Sequence, residues 1–185
     1  QFQKPGDFLI VPEKFGSFLT SLKIPGRLIL SSSVSKEYFP ANAIFRASHF
    51  LENFGTVASL AQMLNIPEKI LQKTAQEFHG LEHRCEFFTE KNGIIFYDDA
   101  ISTNPDSTLA ALRYFGYNLG TIILGGQDRS QNFDRLISEL EKFETQIIVF
   151  QSEVSQRLME TLDFYEKVQL VDNLETAIKK GFLIN

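Results

Sequence analysis

Strands and helices alternate along the chain from Ile94 onward, and this alternation limits the choice of fold more than any other feature of the sequence. Short apolar runs predict strands, and the segments between them have the apolar spacing of helices. The predicted strands are 94–98, 121–124, 146–150 and 167–171, and the predicted helices are 105–115, 133–143, 154–162 and 174–180. Because strands that alternate with helices are joined by right-handed crossovers, we expect an α/β fold with a mostly parallel sheet and flanking helices.

Residues up to about 82 follow another pattern. Strands are predicted at 8–11 and 27–30, and two helices, at 53–64 and 67–78, form a helical hairpin. The stretch from Gly80 to Glu82 is the best candidate for a domain boundary, so we expect a partial α/β segment in front of the main sheet. Just after it, residues 84–90 and 94–98 predict a β-hairpin, because the Asn92-Gly93 pair supplies the positive φ angles of a type I′ turn.

The composition excludes several classes of protein. Of the 185 residues, 43% are hydrophobic and 22% are charged, which is typical of a globular protein with a substantial core. The net charge is −5, and from His83 onward sixteen acidic residues outnumber ten basic ones, which argues against nucleic acid or an anionic membrane as a partner. A single cysteine, Cys85, excludes an internal disulfide and a cysteine-based metal cluster. With no apolar run of membrane length and no signal peptide, the expected location is the cytoplasm.

The first motif with chemical content lies between the strand 94–98 and the helix that follows it. Asp98 and Asp99 end the strand, Asn104 is a preferred N-cap residue, and Pro105 suits the first helical position. The helix N-terminus would then direct free N–H groups into the space beyond the strand, where α/β sheets bind anions and nucleotides. On this stretch alone the simpler interpretation is favoured, namely a well-capped helix preceded by two solvated aspartates.

The second motif is the loop after the strand 121–124. Gly125 and Gly126 allow the backbone to approach a ligand closely, and Arg129 adds a cation whose forked geometry suits carboxylate or phosphate. We expect this strand to lie beside the strand that ends at Asp99, so that both loops open on one crevice. Considered together, the two loops make a binding site about as good an interpretation as an ordinary loop with a solvated arginine.

Arg84 follows His83 at the predicted domain boundary, where its guanidinium could reach a phosphate held between the two segments. A surface arginine at the start of a strand is the commoner case. The sequence contains no nucleophile elbow, no zinc spacing of Cys and His, no dinucleotide-binding glycine pattern and no P-loop. Because the chain begins without methionine and ends just after a helical pattern, we expect it to be a piece of a longer protein.

Three segments, in this order, resemble the Mur ligases. They are His83-Arg84, the stretch from Tyr97 to Leu112 with its paired aspartates, and Leu124 to Arg129 followed by Phe133. Within the family, the segments are most similar to the members that add D-glutamate. The resemblance implies that residues 1–82 are the end of an ATP-binding central domain and that residues 83–185 are most of a Rossmann-like C-terminal domain.

The resemblance also implies a reaction and a set of site residues. The reaction is the ATP-dependent formation of an amide between D-glutamate and UDP-N-acetylmuramoyl-L-alanine in peptidoglycan biosynthesis, with Mg²⁺ stabilising the phosphoryl charge. Contacts with ATP are implied for Asn53 at the adenine, Asp99 at the ribose and Arg84 at the phosphates, where Arg84 would be the catalytic residue. Contacts with D-glutamate are implied for Thr103, Asn104 and Arg129.

Parts of the family's machinery are expected outside this chain. The P-loop, the magnesium ligands and a carbamylated lysine would lie upstream of Gln1, so we assign no metal ligand here and expect the chain by itself to be inactive. The complete enzyme is expected to be a cytoplasmic monomer. Two alternatives stay open: another Mur-type or folylpolyglutamate ligase, and a noncatalytic nucleotide- or amino-acid-binding module of Rossmann-like build.

Overall fold

The computed structural model of the chain describes residues 3–40, 44–143, 145–163 and 165–184. The chain divides into two compact units, Gln1–Gly80 and Leu81–Asn185. Each unit combines strands with helices, and the strands of both main pairings run parallel. Among the described helices, none combines the length and the apolar character that crossing a bilayer requires.

The first unit is built on a parallel pair of strands. Strand β1 (Phe8–Pro12) pairs with β2 (Arg27–Ser31), and the short helix α1 (Gly16–Thr20) lies between them in the sequence. Helix α2 (Ser48–Met63) packs against both strands, and α3 (Glu68–Glu77) follows it. Phe39, Phe45 and Ala75 form a buried hydrophobic cluster in this unit.

Helix α2 begins at Ser48, more than one turn before the predicted start at Asn53. A tertiary contact explains this earlier start. Phe50, in the first turn, makes an edge-to-face contact with Phe45, and their ring centroids are 5.3 Å apart. Phe45 lies outside the helix, so the helical spacing of apolar residues from Phe54 onward does not reveal this contact.

A β-hairpin begins the second unit. Strand β3 (Glu86–Lys91) pairs in the antiparallel sense with β4 (Ile94–Asp98). Asn92 and Gly93 in the connecting turn have φ angles of 54° and 80°, so the predicted turn with two positive φ angles is confirmed. The candidate site begins where β4 ends, at Asp98.

A three-stranded parallel sheet forms the centre of the second unit. Its strands, in spatial order, are β5 (Thr121–Leu124), β6 (Gln146–Phe150) and β7 (Val168–Val171). The helices that connect and cover the strands are α4 (Pro105–Phe115), α5 (Asp134–Leu140), α6 (Ser155–Thr161) and α7 (Leu174–Ile184). This arrangement confirms the predicted α/β class with a parallel sheet and flanking helices.

The core of the second unit surrounds β6, the central strand. Ile147 and Val149 face a cluster supplied by α4, α5 and α6, whereas Ile148 packs with Ala177 of α7. Successive residues of a strand point to opposite faces of the sheet, and all three of these β6 residues are fully buried because both faces are covered. This packing fixes the carboxyl ends of the strands, from which the loop after β5 starts.

One predicted neighbour relation is wrong. The sequence predicts that 94–98 lies beside 121–124 in the parallel sheet, but within the described residues β4 pairs with β3 and β5 pairs with β6. The tight Asn-Gly turn gives β4 an antiparallel partner instead. Phe96 of β4 stacks on Phe182 of α7 with ring centroids 6.2 Å apart, so side-chain packing joins β4 to the rest of the unit.

Candidate functional site

The turn after β4 brings Asp99 and Arg84 together. Asp99 Oδ1 accepts a hydrogen bond from the Cys85 N–H at 3.0 Å, and Arg84 Nη1 lies 3.8 Å from the same oxygen. Arg84 Nη1 also donates to Ser102 Oγ at 2.5 Å. Both charged side chains are 23% exposed, so the protein holds each of them while each still reaches solvent. The two residues of this unit that were predicted to contact ATP therefore lie in one cluster.

The backbone around Arg84 is strained. His83 and Cys85, its two neighbours, have φ angles of 60° and 47°, in the left-handed region that residues other than glycine seldom adopt. Hydrogen bonds hold this conformation: the His83 N–H donates to Glu86 Oε2 at 2.7 Å, and the Ile101 N–H donates to the His83 carbonyl at 3.1 Å. Strain that is maintained by surrounding contacts is common at functional sites, which supports a functional role for Arg84.

Asp98 has a different role from Asp99. Its Oδ2 lies 2.8 Å from His83 Nδ1, and its Oδ1 accepts the Ala100 N–H at 2.9 Å. The hydrogen bond with His83, followed by that from Ala100, lowers the pKa of Asp98, and the same contact with Asp98 raises the pKa of His83. Asp98 therefore closes the turn, whereas Asp99 Oδ2 has no protein partner within the described residues.

We expect the His83–Asp98 pair to make the stability of this turn depend on pH. Because the folded pKa of His83 is raised, its contribution is complete below the ordinary histidine pKa of about 6.5 and is lost as the pH rises through the higher folded value. Because the folded pKa of Asp98 is lowered, its contribution is present above the ordinary value of about 3.9 and is lost as the pH falls through the folded value. An NMR titration of His83 checks this: its pKa should fall in Asp98→Asn, and an unchanged pKa would contradict the pairing.

The thiol of Cys85 is expected to be chemically inert. The residue is 3% exposed, and burial, with a further contribution from the Asp99 charge, raises the pKa of the thiol to about 12. At neutral pH the native protein then holds roughly a thousandfold less thiolate at this position than an unfolded chain does. Iodoacetamide should therefore modify Cys85 only after denaturation, as measured by peptide mass spectrometry. Rapid labelling of the native protein would contradict the burial.

Asn104 is the N-cap of α4, as predicted. Its Oδ1 accepts the Ser107 N–H at 2.9 Å, and Pro105 begins the helix. The cap uses the amide oxygen and leaves the exposed amide NH₂ with two donors. Thr103, the preceding residue, is also exposed. These two residues therefore offer hydrogen-bond donors beside the positive end of a helix.

The loop after β5 exposes Arg129. Gly126 has a φ of 124°, which a residue with a side chain would adopt only under strain, and a Cβ on Gly125 would lie 2.4 Å from the ring of Phe150. The Gly126 N–H donates to Ser152 Oγ at 3.0 Å, which ties the start of the loop to the chain beyond β6. Arg129 is exposed, and its guanidinium has neither an ion-pair nor a hydrogen-bond partner within the described residues.

The loops that follow β4 and β5 meet at Gln131. Its Nε2 donates to the Thr103 carbonyl at 3.1 Å. A second contact lies nearby, where Arg135 of α5 is 3.1 Å from Asp106 in the first turn of α4. The predicted proximity of the two loops is confirmed although β4 and β5 do not pair, because α4 and α5 pack side by side.

Three residues of this arrangement, Ser102, Gln131 and Arg157, are not predicted from the sequence. Ser102 and Gln131 lie close in sequence to the predicted site residues, but neither residue type carries a distinctive signal. Arg157 lies on α6, and only the fold brings it to Asp128, with which it forms an ion pair. No pattern in the sequence indicates that partner.

Asn53 belongs to the first unit and lies on α2. Its side chain is exposed and makes no hydrogen bond with the described residues. The amide is therefore available to a ligand, and its contact with adenine stays a prediction.

The second unit is thus a Rossmann-like α/β module with an arginine–aspartate cluster in one loop and, in another, an arginine that has no partner among the described residues. Modules of this build bind nucleotides and other anions beyond the carboxyl ends of their strands. Residues 83–183 match the family model described as "Mur ligase, glutamate ligase domain", and the chain belongs to the Mur ligase family. The resemblance carried by the three sequence segments is thereby confirmed.

Curated relatives are similar to most of the chain. The UDP-N-acetylmuramoylalanine–D-glutamate ligase of Caldicellulosiruptor saccharolyticus is 34% identical over 140 residues, which are 74% of this chain and 30% of the relative. The protein of the same name from Caldanaerobacter subterraneus subsp. tengcongensis is 33% identical over 138 residues, which are 72% of this chain and 30% of the relative. The matching region thus spans about 30% of the length of these relatives.

Solved structures have the same fold at lower sequence identity. The crystal structure of MurF from Acinetobacter baumannii gives a TM-score of 0.70 at 17% identity and covers 98% of this chain and 45% of that one. MurC from Thermotoga maritima gives a TM-score of 0.57 at 18% identity, over 72% of this chain and 31% of that one. At these identities the likeness concerns the fold.

Proposed function

We propose that the chain is part of a cytoplasmic, ATP-dependent ligase that adds D-glutamate to UDP-N-acetylmuramoyl-L-alanine in the synthesis of the peptidoglycan cell wall. The similarity to curated D-glutamate ligases supports this choice of substrates. The observation that carries the proposal is Arg129, an exposed guanidinium without a protein partner in the described part of the chain. It stands on a loop that Gln131 links to Thr103. A carboxylate of the amino-acid substrate is a partner that suits its forked geometry.

The proposed amino-acid site combines Arg129 with Thr103 and Asn104. The Thr103 hydroxyl and the Asn104 NH₂ supply neutral donors, and the N-terminus of α4 adds the positive end of a helix dipole. Glutamate has two carboxylates and needs several such donors. Lysine suits this set less well, because its side-chain ammonium would meet a like charge at Arg129.

The proposed nucleotide contacts use the cluster after β4. Asp99 would accept hydrogen bonds from the ribose hydroxyls through Oδ2, while Oδ1 stays bound to the Cys85 N–H. Arg84 would contact the phosphates. In the structure its guanidinium is held by Ser102 and Asp99. Its role would be to stabilise the negative charge of the phosphoryl group in transfer. Asn53 of the first unit would contact the adenine.

The proposed reaction forms one amide bond. A carboxylate oxygen of UDP-N-acetylmuramoyl-L-alanine attacks the γ-phosphorus of ATP, ADP leaves, and an acyl phosphate results. The amine of D-glutamate attacks the acyl carbon, the nitrogen loses its proton, and phosphate departs as the amide forms. Mg²⁺ would neutralise phosphate charge. Within the described residues no group of three or more His, Cys, Asp or Glu side chains could hold a metal ion, and we expect its ligands elsewhere in the full-length protein.

The proposal assigns residues 1–82 to the end of an ATP-binding central domain and residues 83–185 to the C-terminal domain that binds the amino acid. The matching region spans about 30% of the length of its relatives, so the P-loop and the carbamylated lysine would belong to the rest of the protein. The full-length enzyme would act as a monomer, without a nucleic-acid or membrane partner. The chain alone would be inactive.

A phosphate-release assay of the full-length gene product tests the proposed function. The reactants are UDP-N-acetylmuramoyl-L-alanine, ATP, Mg²⁺ and one amino acid at a time. We expect phosphate release that requires D-glutamate and that neither L-glutamate nor L-lysine supports. Release with another amino acid would identify a different ligase of this family. No release from a folded protein that still binds ATP or glutamate in calorimetry would indicate a noncatalytic binding module.

A further inference from the structure

Arg157 of α6 anchors the loop that carries Arg129. Its guanidinium forms an ion pair with Asp128 and donates from Nη2 to the Gln131 carbonyl at 2.6 Å. It also lies over the ring of Phe133, 5.2 Å from the centroid. One planar guanidinium makes all three contacts, and they lie on both sides of Arg129 in the sequence.

This arrangement restrains the backbone at Arg129, while the Arg129 side chain has no partner in the part of the chain that the structure describes. Asp128, the residue before it, accepts the Ser130 N–H at 2.8 Å through the same Oδ1 that meets Arg157. Ser130, the residue after it, has a φ of 54°, so the loop turns sharply here. One carboxylate therefore connects Arg157 to both neighbours of Arg129.

Arg157 also reaches the other half of the proposed amino-acid site through Gln131. The Gln131 carbonyl accepts a hydrogen bond from Arg157, and the Gln131 side chain donates to the Thr103 carbonyl at 3.1 Å. Neither Arg84 nor Asp99 has a hydrogen bond or ion pair with this loop among the described residues. A change at Arg157 would therefore affect the amino-acid contacts and spare the nucleotide contacts.

We propose that Arg157 is a positioning residue for the amino-acid substrate: it holds the loop 125–131 so that Arg129 meets a carboxylate of the incoming amino acid. This inference rests on the proposed function. The ion pair between Arg157 and Asp128 contributes little to global stability. The two side chains are 39% and 24% exposed, and ion pairs at such exposure stabilise a fold little. The contribution is to preorganisation, because a loop that is fixed beforehand loses less conformational freedom when substrate binds.

Steady-state kinetics of the full-length enzyme with Arg157→Met test the proposal, since methionine keeps an apolar stem and removes the fork. We expect the KM for D-glutamate to rise about tenfold, the KM for ATP to change less than about twofold, and the Tm to fall by at most about 3 °C. Asp128→Asn should raise the KM for D-glutamate by a smaller factor, because Arg157 keeps its hydrogen bond to the Gln131 carbonyl, and the double variant should add little to Arg157→Met, because the Asp128 contact is already lost there. Arg113→Met is the control. Its ion pair with Glu139 involves an arginine side chain that is 51% exposed and lies outside the loop 125–131 and the first turn of α4, so neither KM should change.

Arg157→Lys separates positioning from folding. Lysine keeps the charge but cannot bind Asp128 and the Gln131 carbonyl with a planar fork. The KM of the Arg157→Lys enzyme for D-glutamate should therefore lie between the values of the wild type and of Arg157→Met. An unchanged KM for D-glutamate in Arg157→Met would overturn the inference, as would equal rises in both KM values with a large loss of Tm. A wild-type enzyme that uses another amino acid would overturn the proposed function instead. In that case, a selective rise in the KM of Arg157→Met for that amino acid would still support the positioning role of Arg157.

Discussion

Arg129→Met in the full-length enzyme is expected to raise the KM for D-glutamate about a hundredfold and to leave the KM for ATP unchanged. The Arg129 side chain is exposed and has no protein partner in the described part of the chain, so its removal breaks no internal contact and the fold should be unaffected. The substrate would lose a charge-assisted, forked hydrogen bond. A hundredfold rise corresponds to about 2.7 kcal/mol of lost binding free energy, within the range of hydrogen bonds to charged groups.

Two further variants define the origin of this effect. Arg129→Lys keeps the charge without the fork, so its KM for D-glutamate should be intermediate. Arg113→Met is the control for charge alone, because the Arg113 side chain is 51% exposed and its partner is Glu139 of α5. It should leave both KM values unchanged. A wild-type KM for D-glutamate in Arg129→Met would remove Arg129 from the proposed amino-acid site.

Asp99→Asn is expected to raise the KM for ATP about thirtyfold with a much smaller effect on folding. The carboxylate would accept hydrogen bonds from the ribose hydroxyls through Oδ2, and asparagine would present an uncharged NH₂ donor at that position. Asparagine still accepts the Cys85 N–H that Asp99 Oδ1 binds at 3.0 Å, so the turn should persist. Asp99→Ala should also weaken ATP binding far more than folding. Asp99→Ala separates ATP binding from stability less cleanly than Asp99→Asn does. It leaves the buried Cys85 N–H without its acceptor, which destabilises the fold by about 1–3 kcal/mol.

The measurement compares the KM for ATP with the Tm in the same variants of the full-length enzyme. Asp98→Asn is the matched control, since Asp98 binds His83 and the Ala100 N–H and has no proposed contact with the nucleotide. Its KM for ATP should change less than that of Asp99→Asn. If Asp99→Asn lost stability and ATP affinity in equal measure, Asp99 would have a structural role.

The local elements of this protein are determined by its sequence. The helix at 105–115 has its N-cap at Asn104 and its first residue at Pro105, as predicted, and both signals act within a few residues of the chain. The Asn92-Gly93 turn and the strands 121–124 and 146–150 are confirmed for the same reason. Turn chemistry, capping and the alternation of apolar runs are local properties, so the α/β class follows from them.

The assembly of the site was decided by the tertiary structure. The sequence suggested that β4 and β5 are sheet neighbours, whereas β4 pairs with β3 in the described part of the chain and the two loops meet through Gln131 and Thr103 instead. The ion pair of Arg157 with Asp128 also joins residues far apart in the chain. Such contacts depend on how α4, α5 and α6 pack around the sheet. Packing is a property of the whole fold, and the periodicity of a single segment contains no information about the partner that segment meets.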